Sequence, residues 1–464
     1  MNWRACKAIA MAVLAMTFLY SLMSILSTSP TNALQIASVG YLPTDIAVDT
    51  YTNHVFVVNY GSGDTTPTPS VSILDARSGV VQATVNVDRF PYLLALDSQH
   101  HRAIVAIGGV HGLVPSSLIG IDTRTGKKLW RTIVSVPPLF ISLNQTKGEA
   151  FLGVAVHGSR PGGLIDVMNT VTGRVLGRVV LNFSPKAAAT DEKRGLLFVI
   201  GSGQNGTGRL LELDTRTNSV KETVAAGIEP SDVTVDVRHR RVYVLNVGRE
   251  PASCVLPGSS CRAASSASVF DEGSGRVLHT VSVGQNPSRV VVDEHTQKVF
   301  VMNDGNYQGG PGSVSVLGGQ SGRLLRTTTI GPNPSNIAVD ARRMLVFIVD
   351  NRNINVFAAR DGRLLGTLSV APTPYAIAID EAVGHIFVTS SNDTGPSTPV
   401  YMTRNASLLV RILIGIGTTM HQLGTLRGRQ PGVVSVFRNV SPKTFSSPTD
   451  WETYSRRAFS SHHR

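Results

Sequence analysis

The chain has 464 residues, of which 42% are hydrophobic and 16% are charged, and its net charge is +12. A chain this apolar and this weakly charged buries a core, which excludes a disordered protein. The basic residues are spread along the chain rather than gathered in one run, so we expect no nucleic-acid partner. A basic, solvated surface explains the charge, and an anionic surface is the alternative partner.

The first 33 residues predict an export segment. Arg4 and Lys7 precede an almost wholly apolar run at residues 8–26, and small residues before position 34 favour cleavage after Ala33. The run is also long enough to remain as a membrane anchor. Both outcomes stay open, a removed signal peptide (residues 1–33) or a retained anchor, and either places the remaining chain outside the cytoplasm.

One motif recurs eight times in the remaining chain. It consists of a proline, two variable residues, three small or branched apolar residues and usually an aspartate. Its copies begin at Pro43, Pro91, Pro138, Pro185, Pro230, Pro287, Pro334 and Pro374, at spacings of 40 to 57 residues. A period of this length with strand patterns is typical of propeller blades.

Each copy continues in the same order. An apolar second strand such as residues 55–59 is followed by a loop of variable length and a third strand such as residues 71–75. A tight turn of Asp-x-x-Ser/Thr-Gly type comes next, as at 75–79, and leads into a fourth strand. Four short antiparallel strands at this period describe one blade of an all-β propeller.

The repeat resembles the YVTN-type β-propeller family. Blades of that family read roughly Gly-x-x-Pro-x-x-Val-Ala-Val-Asp, then Val-Tyr-Val-x-Asn, then Val-Ser-Val-Ile-Asp, and the resemblance covers about Ile36 to Val440. It implies a closed ring of four-stranded antiparallel blades. Members are mostly extracytoplasmic and many have no assigned chemistry, so the resemblance indicates a fold more than an activity.

Eight copies favour eight blades, and family precedent keeps seven as the alternative. Residues 36–40 match a fourth strand, so we expect them to pair with the last blade and close the ring. The third strand of that blade is either residues 400–402 or residues 433–437. We favour the second, which makes 392–431 an insertion. The propeller then spans 36–440, and 441–464 form a basic, flexible tail.

Two cysteines, Cys254 and Cys261, lie seven residues apart in a segment rich in proline, glycine and serine. In an oxidising compartment they are expected to form a disulfide. Two free thiols are the alternative.

The aspartate that ends the motif recurs in almost every copy, so we interpret it as a turn cap and not as a catalytic group. The two positions after each proline vary between copies and are expected to surround the channel mouth. They predict a site for a polar ligand, such as a sugar or peptide, formed by Asp45, Tyr92, Asp232, Arg289, Asn336 and Tyr375. A water-filled channel lining is the alternative interpretation.

These patterns favour a monomeric binding or scaffold protein that engages a cell-envelope polymer or protein through its loop-rich face. The alternative is an exported enzyme, either a lactonase-like hydrolase or a quinone-dependent oxidoreductase, with its site at the channel mouth. The quinone alternative rests on residues 122–130, which are similar to the tryptophan-docking motif of quinoprotein propellers and end in Trp130. No catalytic residue, metal site or cofactor is predicted.

Overall fold

The computed structural model describes residues 35–61, 68–109, 115–156, 162–248, 265–306, 309–370, 373–390, 401–402 and 432–438. These residues form an all-β propeller of antiparallel sheets, as predicted. The number of four-stranded blades is seven, the alternative, and not the favoured eight. The prediction of eight was wrong because the eighth copy of the motif belongs to a five-stranded sheet, which contains the strand Gln35–Val39 as well as strands from residues 374–438.

The strands are numbered in chain order, and β1 (Gln35–Val39) precedes the first blade. The first two blades contain β2 (Pro43–Asp49), β3 (His54–Asn59), β4 (Ser70–Asp75) and β5 (Val81–Asn86), then β6 (Pro91–Asp97), β7 (Arg102–Ile107), β8 (Ser116–Asp122) and β9 (Lys128–Val134). The third contains β10 (Phe140–Asn144), β11 (Glu149–Val156), β12 (Gly162–Asn169) and β13 (Val175–Leu181). The fourth contains β14 (Ser184–Asp191), β15 (Leu196–Ser202), β16 (Thr207–Asp214) and β17 (Ser219–Ile228), with a short 3₁₀ helix at Gln204–Gly206.

The next two blades contain β18 (Pro230–Asp236), β19 (Arg241–Asn246), β20 (Ser266–Asp271) and β21 (Val277–Ser282), then β22 (Pro287–Asp293), β23 (Lys298–Asn303), β24 (Pro311–Gly318) and β25 (Leu324–Pro332). The seventh contains β26 (Asn336–Asp340), β27 (Leu345–Val349), β28 (Asn353–Ala358) and β29 (Leu364–Ser369). The last sheet contains β30 (Pro374–Asp380), β31 (His385–Ser390), β32 (Tyr401–Met402) and β33 (Gly432–Arg438), together with β1.

The last sheet closes the ring with the two ends of the chain. β33 pairs with β31 as the third strand, and β1 pairs with β33 as the fourth, so the favoured assignment of residues 433–437 is confirmed. The short strand β32 pairs with the free edge of β1. β30 contacts both β26 and β2, so the eight innermost strands form a closed circle.

A glycine contact shows that β1 has the position of a fourth strand. A Cβ atom built on Gly40 would lie 2.6 Å from the Asn59 side chain of the next blade. A Cβ atom on Gly284, which follows the fourth strand of the fifth blade, would lie 2.5 Å from the Asn303 side chain of the next blade. The same close approach therefore repeats at the point of closure.

The core lies between neighbouring sheets. Among the described residues it divides into eight clusters, and each joins one sheet to the next. One cluster packs Val55 and Leu74 of the first blade against Phe387 of the last sheet and against Ala37 and Val39 of β1. A single blade has two apolar faces, and stacking the blades in a ring buries both.

The recurrent aspartates cap turns, as predicted. They are buried, and each accepts a hydrogen bond from a backbone N–H two or three residues further along. Asp236 accepts from His239 N at 2.9 Å, and Asp340 accepts from Arg343 N at 3.0 Å. The turns between third and fourth strands work in the same way, since Asp75 accepts from Ser78 N at 2.6 Å and Gly79 has a φ of 73°.

Trp130 packs against the next blade, as in the tryptophan-docking motif. Its Nε1–H donates to the Thr170 carbonyl at 3.1 Å. A Cβ atom on Gly173, whose φ is 70°, would lie 2.5 Å from the indole ring. The glycine is required at this turn both for its backbone conformation and for the approach of the ring.

Several sequence predictions lie outside the described residues. These are the export segment 1–33, the Cys254–Cys261 disulfide and the tail 441–464. Most of the insertion 392–431 also lies outside. Within the part of the chain that the structure describes, no helix is long and apolar enough to cross a membrane.

Candidate ligand-binding mouth

The end of the ring at which the innermost strands begin is called the mouth face. It carries the connections into those strands and the loops between second and third strands, because the strands within a blade are antiparallel. The opposite end carries the aspartate turns. The variable positions after each proline therefore lie at the mouth face, as the sequence predicted.

A sharp bend leads each chain segment into the mouth. In five blades and in the last sheet the residue before the proline has a positive φ, as in Leu42 at 50° and Phe90 at 64°. The register between the first and second strands then shifts, for example between Pro43 and Asp45. A shift of this kind re-aims the side chains near it, and here they reach the neighbouring blade.

Hydroxyl groups one position after the proline bond to the next blade. Tyr92 Oη–H donates to the Pro138 carbonyl at 2.5 Å. Ser231 donates to the Pro287 carbonyl at 2.6 Å, and Ser335 has the equivalent bond. These bonds run around the circumference of the mouth and hold consecutive innermost strands together.

Two of the predicted aspartates make the same kind of link from the second position after the proline. Asp45 Oδ2 accepts a hydrogen bond from Leu94 N in the next blade at 2.8 Å, and its Oδ1 accepts from Ile46 N at 2.9 Å. Asp232 Oδ2 accepts from Val290 N in the next blade at 3.0 Å. Both carboxyl groups therefore link neighbouring blades.

These two carboxyl groups titrate near neutrality. Burial raises the pKa of Asp45 to about 6, against the lowering effects of its two backbone hydrogen bonds and the charge of Arg289. Burial likewise raises the pKa of Asp232 to about 6, and Arg289 is the largest opposing influence. Arg289 therefore acts on carboxyl groups from the first and fifth blades.

A third carboxyl group, Asp304, was not predicted. It follows the second strand of the sixth blade, and its Oδ1 accepts a hydrogen bond from Ser288 Oγ. Burial raises its pKa, while Ser288 and Arg289 lower it. The exposed Arg289 is thus a positive charge beside three carboxyl groups, Asp45, Asp232 and Asp304.

An open cleft of about 470 Å³ adjoins this charged region between the first three blades. It is lined by aromatic, proline, leucine and glycine residues, namely Tyr60, Phe90, Tyr92, Leu93, Gly108, Gly109, Pro137, Pro138 and Leu139. Leu139 is 48% exposed, and the rings of Tyr60 and Phe90 lie 5.5 Å apart. Leu93 lies at the border between the cleft and the charged region, because the backbone N–H of the next residue, Leu94, donates to Asp45.

The six predicted residues have different surroundings. The structure brings Asp45, Asp232 and Arg289 into electrostatic contact and places Tyr92 in the cleft. Asn336 accepts a hydrogen bond from Ile337 N at 2.8 Å, within its own strand. Tyr375 is 54% exposed at the start of β30.

Tyr60 and Asp304 are the functional candidates that the sequence analysis missed. Both directly follow the asparagine that ends a second strand, Asn59 and Asn303. A comparison of the residue after this asparagine between copies of the repeat would have identified both candidates. Within the described ranges, no three His, Cys, Asp or Glu side chains are grouped as a metal ion would require.

No known family matches this sequence, and no curated protein sequence matches it. The solved structures that share the fold include the following three. BamB from Moraxella catarrhalis is 14% identical with a TM-score of 0.52, over 77% of this chain and 97% of that chain. Hydrazine synthase from Kuenenia stuttgartiensis is 13% identical with a TM-score of 0.53, over 73% and 98%. The dihydro-heme d1 dehydrogenase NirN in complex with DHE is 14% identical with a TM-score of 0.55, over 76% and 71%. At these identities the likeness establishes the propeller fold alone.

Proposed function

We propose that this chain is an extracytoplasmic β-propeller of YVTN type that binds a cell-envelope polymer or protein through its mouth face. The observation that carries the proposal is the cleft of about 470 Å³ at the mouth, which is open and lined by rigid aromatic and proline side chains. Such a surface suits stacking against sugar rings or an extended peptide.

The position of the cleft in the fold supports a binding role. Tyr60, Gly108 and Gly109 line it, and the long loops 60–70 and 108–117 begin at these residues. Loops carried by a rigid scaffold are where binding residues usually lie. A ligand in the cleft would therefore contact the fixed ends of the blades and the first residues of these loops.

The location outside the cytoplasm rests on the sequence of residues 1–33. Arg4 and Lys7 before the apolar run predict export, whether the segment is removed after Ala33 or kept as an anchor. The shared fold with BamB, hydrazine synthase and NirN is compatible with several activities. The choice between a binding protein and an enzyme therefore depends on the candidate site and not on the fold.

Matched tyrosine variants test the proposal. The full chain is applied to arrays of envelope glycans and extended peptides, alongside Tyr60→Ala in the cleft and Tyr51→Ala at the opposite end of the ring, where Tyr51 is 67% exposed. We expect the first variant to lose most of the captured ligand and the second to retain it. Equal capture by both variants would exclude the cleft as the binding site.

An enzyme at the same mouth is the second candidate. The observation that favours it is that Asp45 and Asp232 have a pKa of about 6, which suits proton transfer near neutral pH. A lactonase-like hydrolase would use one of them as a general base. Turnover of lactone substrates by the intact chain, and its loss in Asp232→Asn, would establish this alternative in place of binding alone.

A further inference from the structure

The guanidinium group of Arg289 has unused hydrogen-bonding capacity. Arg289 is exposed at the mouth face, and its contact is with the Ser288 carbonyl at 3.5 Å from Nη1. In the part of the chain that the structure describes, no carboxylate oxygen lies within 4.0 Å of its nitrogen atoms. An arginine side chain carries five N–H donors, and nearly all of them are available here.

The carboxyl groups around Arg289 are already engaged. Both oxygens of Asp45 accept backbone N–H groups, and one oxygen each of Asp232 and Asp304 accepts a hydrogen bond. Their bonds link neighbouring strands, which fixes them in place. Arg289 keeps free N–H donors while these carboxyl groups are held by their own bonds, so the ligand group that complements Arg289 is an acceptor with negative charge.

We propose that Arg289 receives an anionic substituent, a carboxylate or a phosphate, of the ligand bound at the mouth face, in competition with the three surrounding carboxyl groups. This inference rests on the proposed function and adds the chemical class of the ligand. A planar guanidinium group binds either kind of anion through two parallel hydrogen bonds.

The competition makes binding depend on pH. The titratable groups that act on Arg289 are Asp45 from β2, Asp232 from β18 and Asp304 after β23. The pKa values of Asp45 and Asp232 are raised to about 6, and that of Asp304 is also raised. As the pH falls through about 6, Asp45 and Asp232 lose their negative charge, so less charge competes for Arg289 and an external anion binds more strongly.

Labelled oligomers of equal length test the inference with the full chain. The probes are a uronate oligosaccharide, a glycerol-phosphate oligomer and a neutral glucan, and both anionic probes stay charged over the range used. We expect one anionic probe to bind more tightly than the glucan, and several-fold more tightly at about pH 5 than at about pH 7.5. The stronger of the two anionic probes identifies the kind of substituent.

Two arginine variants provide the control. Arg289→Gln should remove both the preference for an anion and the pH dependence. Arg326→Gln, an exposed arginine on the outer strand of the same blade, should retain them. Melting temperatures of both variants verify that they are folded.

The inference is overturned if neither anionic probe binds better than the glucan, or if Arg289→Gln binds as the intact chain does. If the glucan binds equally well and Tyr60→Ala abolishes that binding, the proposed function stands and the anionic site alone is refuted. If no probe binds and the arrays capture nothing, both are refuted.

Discussion

A pair of carboxyl groups between the fourth and fifth blades gives the protein a stability that depends on pH. Asp191 caps a turn of the fourth blade, and Glu272 follows the third strand of the fifth. Both are buried, and Glu272 in its protonated form can donate a hydrogen bond to ionised Asp191. Arg194 Nη1 lies 2.6 Å from Asp191 and 3.5 Å from Glu272. The other six four-stranded blades have Ala, Thr or Gly where Glu272 stands, so it breaks the repeat.

The magnitude follows from the pKa values. Burial, with the hydrogen bond and the charge of Asp191, raises the pKa of Glu272 from 4.5 to about 7. At about 1.4 kcal/mol per pKa unit this amounts to about 3 kcal/mol. A raised pKa stabilises the folded state fully below about pH 4.5, and the stabilisation is lost as the pH rises to about 7. The pKa of Asp191 is lowered, so its contribution is complete by about pH 5 and stays constant above it.

The substitution Glu272→Gln separates this effect from the rest of the molecule. Glutamine resembles protonated Glu272 and can donate to Asp191, so the variant should match the intact chain at about pH 5. At about pH 8 the variant should be more stable by about 1–3 kcal/mol, because the intact chain then buries two adjacent negative charges. Asp45 and Asp232 also lower stability as the pH rises, but they do so equally in both proteins.

Thermal melting of both proteins at the two pH values is the assay. We expect the variant to melt a few degrees higher at about pH 8 and at the same temperature at about pH 5. Glu222→Gln, on an exposed part of the fourth blade, is the control and should show no such crossover. A Glu272→Gln variant that is destabilised equally at both pH values would refute the hydrogen bond from protonated Glu272 to Asp191.

Two further predictions concern the packing of the ring. Gly173→Ala should lower the free energy of unfolding by about 1–3 kcal/mol, because the new Cβ meets the Trp130 ring and the φ of residue 173 is positive. Gly177→Ala is the control and should melt like the intact chain, because no atom lies within 4 Å of its Cβ position. Melting curves that cannot be told apart for the two variants would contradict the docking of Trp130. Deletion of residues 35–40 removes β1 and the buried Ala37 and Val39, so it should lower the melting temperature by several degrees. An unchanged melting temperature would show that closure of the ring does not depend on this strand.

The repeat made most of the fold predictable from sequence. The spacing of the prolines matches the repeating sheets. The turn aspartates accept the backbone hydrogen bonds expected of them, as Asp236 does. Residues 36–40 match a fourth strand, and β1 pairs with β33 in that position. Residues 400–402 were considered as the third strand of the last sheet, but Tyr401–Met402 pairs with the free edge of β1 instead, and two residues are too few to indicate such a partner.

The site was predicted less well, for a physical reason. Variation after the proline marks positions at the mouth but does not tell which groups are free. Asp45 and Asp232 look like ligand-binding residues in sequence, yet their oxygens accept N–H groups of the next blade. Arg289 has the same position in the repeat and makes no such link, and only the geometry separates the two cases.

The pairing of β1 with β33 sets an order on assembly. The two strands are separated by nearly four hundred residues, so β1 must wait for its partner until those residues have been made. Contacts so distant in sequence form slowly, and until the partner strand arrives the waiting edge is open to other extended chains. Amide hydrogens of β1 and β33 are therefore expected to become protected together and last, which pulse-labelled hydrogen exchange during refolding would reveal.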